Sequence, residues 1–176
     1  MIDPVPDELV QGGLSEQQKR ENVIRLAFGG QKERLDQFCA EIERVVPPGT
    51  MVVLRGSAVT GRRWKDDAPF DSDGPGTSDL DLTLVGPDTV GFFTLSGFFV
   101  PGVHSRPLSD EDPDIAPQLV PLRNRLMQLA GRPVNIQASR DIVIQFRGNM
   151  LGQPYLTLFE KIEDARDASA SDLQHP

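Results

Sequence analysis

Cysteine and histidine are nearly missing: one and two residues in a chain of 176. A single cysteine, Cys39, excludes an intrachain disulfide. It falls in "RLDQFCAEIERVV", a helical pattern with nothing nearby to depress a thiol pKa. It therefore reads as a buried helix residue rather than a nucleophile. His104 is expected in a loop and His175 in the tail, so a Cys–His or Ser–His dyad is not expected. Positive charge is also scarce, with 18 Lys and Arg against 26 Asp and Glu and a net charge of −8. Such a chain gains little from counterion release on a polyanion, which argues against broad nucleic-acid binding. A small acceptor, or a short nucleic-acid end met by a local basic patch, stays within reach. Long apolar runs are absent, so no segment spans a bilayer and no membrane partner is expected. The start, "MIDPVPDELVQGG", is acidic and proline-rich, unlike a secretion signal. These absences together predict a cytoplasmic protein in a reducing compartment.

What is present suits one globular domain. Hydrophobic residues make up 38% and charged residues 25%. The expected organisation is an extended arm over 1–14, a single domain over 15–167 and a disordered tail over 168–176. Ser15 opens a helix, with Gln18 placed for a capping box, and Gly29-Gly30 closes it. A second helix is expected over about 31–46, stopped by Pro47-Pro48-Gly49. "TMVVLRGS" reads as a strand, and a polar loop follows over about 62–77. "SDLDLTLVG" is a second strand. "VGFFTLSGFFVPG" is ambiguous, with its phenylalanine pairs the expected core fillers. An acidic loop, "SRPLSDEDPD", leads to a helix over about 117–131 with Pro121 in its first turn. "RPVNIQAS" is a third strand. "RDIVIQFRGNMLG" leans to helix, and "PYLTLFEKIEDARD" is expected as a final short helix. There is no internal repeat. The order predicts an α/β (α+β) fold, a small mixed sheet flanked by helices.

The stretch "SDLDL" carries the first chemical signal. Side chains alternate along a strand, so Asp79 and Asp81 share one face while Leu80, Leu82 and Leu84 take the other. Two carboxylates converging to 4 Å would repel by roughly 4 kcal/mol at an effective dielectric of 20. A divalent cation removes that repulsion, and oxygen-only ligands suit Mg²⁺ or Mn²⁺ better than zinc. The plainer reading is an amphipathic strand with Leu inward and Asp in water.

The stretch "VVLRGSAVTGRRWK" carries the second. A strand runs into Gly56-Ser57, where glycine permits a tight turn and serine offers a hydroxyl and an N–H to a phosphate. Arg55, Arg62, Arg63 and Lys65 concentrate cations in an otherwise acidic chain; the plainer reading is a tight turn with a solvated charge run. Two decoys fail here. Gly56 and Gly61 have the glycine spacing of an ATPase phosphate loop, but Arg62-Arg63 stand where it needs Lys then Ser or Thr. "DSDGPGTSDLD" lacks the glutamate that closes a hand-type calcium loop. Trp64 and Phe70 suit either base stacking or anchoring of the long loop, and anchoring is the expectation.

Taken together, "RGSAVTG" and "SDLDL" resemble the signature of the DNA-polymerase-beta-type nucleotidyltransferases, over about 35–159. The likeness is to the small bacterial members that are little more than a catalytic domain. The resemblance implies a polymerase-beta-like fold and transfer of a nucleoside monophosphate from an NTP to an acceptor hydroxyl, with pyrophosphate release. The acceptor would be a small molecule, a protein or an RNA end. It further implies two Mg²⁺ (or Mn²⁺) ions bridged by Asp79 and Asp81, with Gly56, Ser57, Arg62 and Arg63 on the nucleotide. Two departures stand out. The Ser57-to-Asp79 spacing is long. The third aspartate expected on a later strand is replaced by Asn135, which ligates weakly through its carbonyl but cannot act as a base. Asp141, Glu111, Asp112 and Asp114 are the nearest substitutes. The alternative is a degenerate member that binds nucleotide or a protein partner without turnover. Small members often form one half of a toxin–antitoxin or defence pair. A homo-oligomer is also compatible.

Overall fold

The computed structural model describes residues 13–142 and 153–162. Helix α1 (Glu16–Ala27) begins with the expected capping box. The Gln18 N–H donates to Ser15 Oγ at 3.1 Å, and the Ser15 N–H donates to Gln18 Oε1 at 2.9 Å. Helix α2 (Lys32–Glu43) buries Leu35, Phe38 and Ile42, one stripe at helical spacing. Phe28 meets Phe38 edge-on at 5.3 Å and ties the two helices together. Strand β1 (Met51–Arg55) runs into the single turn α3 (Ser57–Thr60), and β2 (Leu80–Val85) follows the long loop. The phenylalanine-rich stretch resolves into 3-10 turns and a short strand, β3 (Phe98–Val100). Then come β4 (His104–Ser105), α4 (Val120–Ala130), β5 (Val134–Ser139) and β6 (Tyr155–Glu160).

The six strands form one mixed sheet in the order β3-β4-β5-β2-β1-β6. The β2–β5 pair is parallel and the others are antiparallel. The chain is thus an α/β protein with a six-stranded mixed sheet and four α-helices among the described residues. One sheet face, with Val52, Leu54, Leu80, Leu82, Leu84, Ile136 and Leu156, joins the buried faces of α1, α2 and α4 in a single core. Each such buried side chain contributes about 1.5–3 kcal/mol. No helix among the described residues is long and apolar enough to cross a membrane.

Several expectations are corrected. "PYLTLFE" is the strand β6, not a helix. Leu156 and Leu158 alternate inward, a period of two, and the segment fills the free edge of β1. Arg20 of α1 donates to the carbonyls of Thr157 and Leu158 at 3.2 and 3.1 Å, holding α1 to that strand. His104 lies in a strand and is buried, not in a loop. Of the phenylalanine pairs, Phe93 is buried and Phe92 and Phe98 pack against the core as expected, whereas Phe99 is 56% exposed on the edge strand β3. Cys39 is half-buried against the core, and burial pushes its thiol up to about 11, far from a nucleophile's range. The expected tail, the arm up to residue 12, and all but the first residues of "RDIVIQFRGNMLG" lie outside the described residues.

Candidate active site

The second face of the sheet is polar where the first is apolar, and register aligns its residues into a row. Arg55 of β1 pairs with Asp81 of β2, and Asp81 pairs with Asn135 of β5. Tyr155 of β6 sits beside Arg55 at the other end. Two residues further along β5, on the same face, Gln137 continues the polar surface. Asp79 precedes β2 and is exposed, while Asp81 is half-buried within it.

One atom connects the acids. The Asn135 Nδ2 donates to Asp79 Oδ2 at 2.8 Å and to Asp81 Oδ1 at 3.0 Å. Asp79 and Asp81 therefore converge on one point, as alternation predicts. Burial and the Asp79 charge raise the Asp81 pKa, against the opposing pull of Arg55 and Asn135. The site is short of positive charge at its centre. Rotation of the Asn135 amide would add its carbonyl oxygen to the two carboxylates. That oxygen set fits a hard divalent cation such as Mg²⁺ or Mn²⁺. Asp79, Asp81 and Asn135 are the residues that would hold it. Among the described residues no set of three His, Cys, Asp or Glu side chains comes together, so no third acid joins Asp79 and Asp81. Asp112 is instead bound by Arg106 through both its oxygens at 2.8 Å.

Gly56 and Ser57 lie against the acids. Gly56 has φ +99°, a conformation L side chains rarely adopt, and a Cβ there would lie 3.5 Å from Asp81 Oδ2. The turn needs glycine for its backbone angle, and it brings Ser57 to the carboxylates. The Ser57 hydroxyl makes no hydrogen bond among the described residues, although the residue is buried. Gly56, Ser57, Asp79 and Asp81 line one cleft of about 430 Å³, with Arg63, Trp64 and Lys65 on its wall. That volume lies within the range of small-molecule sites.

No family model, curated protein or solved structure matches the chain.

The cations divide unevenly. Arg63 reaches the cleft, but Asp66 at 2.9 Å and Asp73 at 3.0 Å already engage it. Arg62 faces a neighbouring cleft of about 460 Å³ and pairs with Asp67. Lys65 lines the acid-bearing cleft and makes no hydrogen bond or ion pair among the described residues. The aromatic pair divides too. Phe70 packs on the core under the Arg132 guanidinium, 4.4 Å from its ring centre, and so anchors the loop. Trp64 does not anchor, being 61% exposed. Leaving a ring of that size in water forgoes about 3 kcal/mol of burial.

A buried network behind the acids escapes a motif search. Arg55 donates to Gln137 Oε1 at 3.3 Å. Gln137 Nε2 in turn donates to the Ser105 carbonyl at 2.6 Å and lies 3.0 Å from His104 Nε2. Burial and the nearby Arg55 charge hold the His104 pKa below its usual value, so its ring is neutral and accepts that bond. Arg55 Nε is buried and makes no hydrogen bond among the described residues, and the Arg55 charge acts on Asp81. The available signal was the alternation that puts Gln137 on the face of Asn135.

Proposed function

We propose that the chain is a metal-dependent nucleotidyltransferase with a polymerase-beta-like fold. It would transfer a nucleoside monophosphate from an NTP to an acceptor hydroxyl and release pyrophosphate. One observation carries the reading. Two motif halves far apart in sequence, Gly56-Ser57 and Asp79-x-Asp81, converge on one cleft, with Gly56 packed against the Asp81 carboxylate. A divalent cation held by Asp79 and Asp81 would supply the positive charge that lets triphosphate oxygens approach two carboxylates. The Ser57 hydroxyl and the Lys65 ammonium are unengaged among the described residues and suit phosphate oxygens. From the neighbouring strand, the Arg55 charge favours the ionised form of Asp81. The acceptor oxygen bonds to the α-phosphorus as the bond to the pyrophosphate oxygen breaks, and pyrophosphate departs with that electron pair. The acceptor proton passes to solvent water, because the Asn135 amide cannot take it. The chain's contribution is positioning and charge, as in phosphoryl transfers generally.

Asn135 also favours a second reading, in which the chain binds nucleotide without turnover. Its amide already satisfies both carboxylates at the position where a base is needed. Melting curves with Mg²⁺ and each NTP, paired with a pyrophosphate-release assay in cell extract as acceptor source, separate the two. A nucleotidyltransferase is expected to gain several degrees with Mg²⁺–NTP and to release pyrophosphate, both lost in Asp79→Asn/Asp81→Asn. A metal-dependent gain without release selects the second reading. No gain with any NTP removes both.

A further inference from the structure

The only tryptophan of the chain is mounted rigidly and left in water. Trp64 stands on a short hairpin in which Arg62 bridges Pro69. The Arg63 N–H donates to the Ala68 carbonyl at 2.8 Å, and the Phe70 N–H donates to that of Gly61 at 3.0 Å. The Arg63 guanidinium fastens the same hairpin to Asp66, Ser72 and Asp73. The backbone beneath the ring is thus tied down at several points. The ring itself is 61% exposed, and its indole N–H has no hydrogen-bond partner among the described residues. Tryptophan is ordinarily mostly buried, so a fixed and exposed one asks for a ligand.

Its surroundings say what kind. Trp64 borders the cleft that holds Ser57, Lys65, Asp79 and Asp81. That cleft therefore offers a hydroxyl, an ammonium, two carboxylates and a flat aromatic face, with the first two and the last unengaged among the described residues. The polar groups match a cation-bound phosphate chain, and the aromatic face matches a base, since every base has a π-face. The residue also borders the second cleft, which holds Thr60, Arg62 and Pro154.

We propose that Trp64 is the base platform of this site: the base of the bound NTP stacks on the indole, with the phosphates toward Lys65 and Ser57. This inference rests on the nucleotide reading above and adds where the base goes.

The lone tryptophan makes the test direct. Mg²⁺–NTP titrations should quench its fluorescence saturably and shield it from acrylamide. Calorimetry should find Trp64→Ala weaker by about 5- to 150-fold, the range of one base–aromatic stack. Trp64→Phe, which keeps a stacking face, should recover most of that loss. The melting temperature without ligand should stay close to wild type in both variants, because the ring is exposed. If Mg²⁺–NTP protects the wild type but not Asp79→Asn/Asp81→Asn, the nucleotide reading stands by itself. The platform is then overturned by a loss below fivefold in Trp64→Ala, by a Phe variant as weak as the Ala one, or by unchanged acrylamide access in the bound wild type. The acrylamide arm decides the matter should the alanine variant fail to fold. No binding of any NTP to the wild type overturns both proposals.

Discussion

Asp81 shows how a single residue is held at odds with its surroundings. Burial and the Asp79 charge raise its pKa, so the folded state disfavours its ionised form. A carboxylate raised in the fold is penalised above its folded pKa and relieved below it. Without metal at neutral pH, Asp81→Asn is therefore expected to stabilise the protein. A gain of about 0.5–2 kcal/mol is typical of such relief, read as a rise of a few degrees in melting temperature. The advantage should vanish as pH falls through the Asp81 titration, and the same variant should lose any Mg²⁺–NTP protection. A destabilised Asp81→Asn at pH 7 would count against this account. This residue was legible in the sequence because strand alternation alone pairs it with Asp79. Arg55 and Gln137 were harder, since their roles depend on which strands lie side by side. Register between β1, β2 and β5 is a tertiary fact that no local pattern encodes.

Among the elements, the loop between α3 and β2 is the most informative. Its far end is clamped by Asp71, which accepts from Arg132 at 2.8 and 3.2 Å and from the N–H groups of Gly76 and Ser78. Burial acts to raise the Asp71 pKa, but Arg132 and the two N–H donors outweigh it and hold it down at about 2. Asp71→Ala leaves a buried guanidinium without its anion, at a cost of about 3 kcal/mol. A carboxyl depressed in the fold stabilises fully above its unfolded pKa, near 4, and loses that contribution as pH falls toward about 2. Urea titrations should therefore show the gap between wild type and Asp71→Ala closing over that window. A gap that does not change with pH would contradict the clamp. Sequence patterning found the loop, because its Gly, Pro and Asp content forbids regular structure. It missed β6, because "YLTLFEKIEDARD" ends in strong helix formers that mask a two-residue period. It also missed β4, two residues long and made a strand only by its neighbours.

At the scale of the whole molecule, charge and topology set the terms. A net charge of −8 repels polyanions, and two of the three cations about the clefts, Arg62 and Arg63, are already engaged by Asp67, Asp66 and Asp73. Mixed-sequence duplex DNA or RNA is expected to leave the protein unshifted in native gels at about 150 mM salt. A complex whose affinity falls steeply with salt, the mark of several phosphate contacts, would overturn that expectation. The layered α/β architecture was legible from alternating helix and strand signals, whereas strand order was not. The parallel pairing of β2 with β5 has a consequence in time. Arg55, Asp81 and Asn135 meet only once three strands drawn from residues 51–139 have found one another. Contacts so distant along the chain form late in folding. A nascent chain on the ribosome thus carries both halves of the motif well before it carries a pocket. On the reading proposed above, nucleotide rewards only the finished sheet, which closes when β6 joins β1 at residues 155–160.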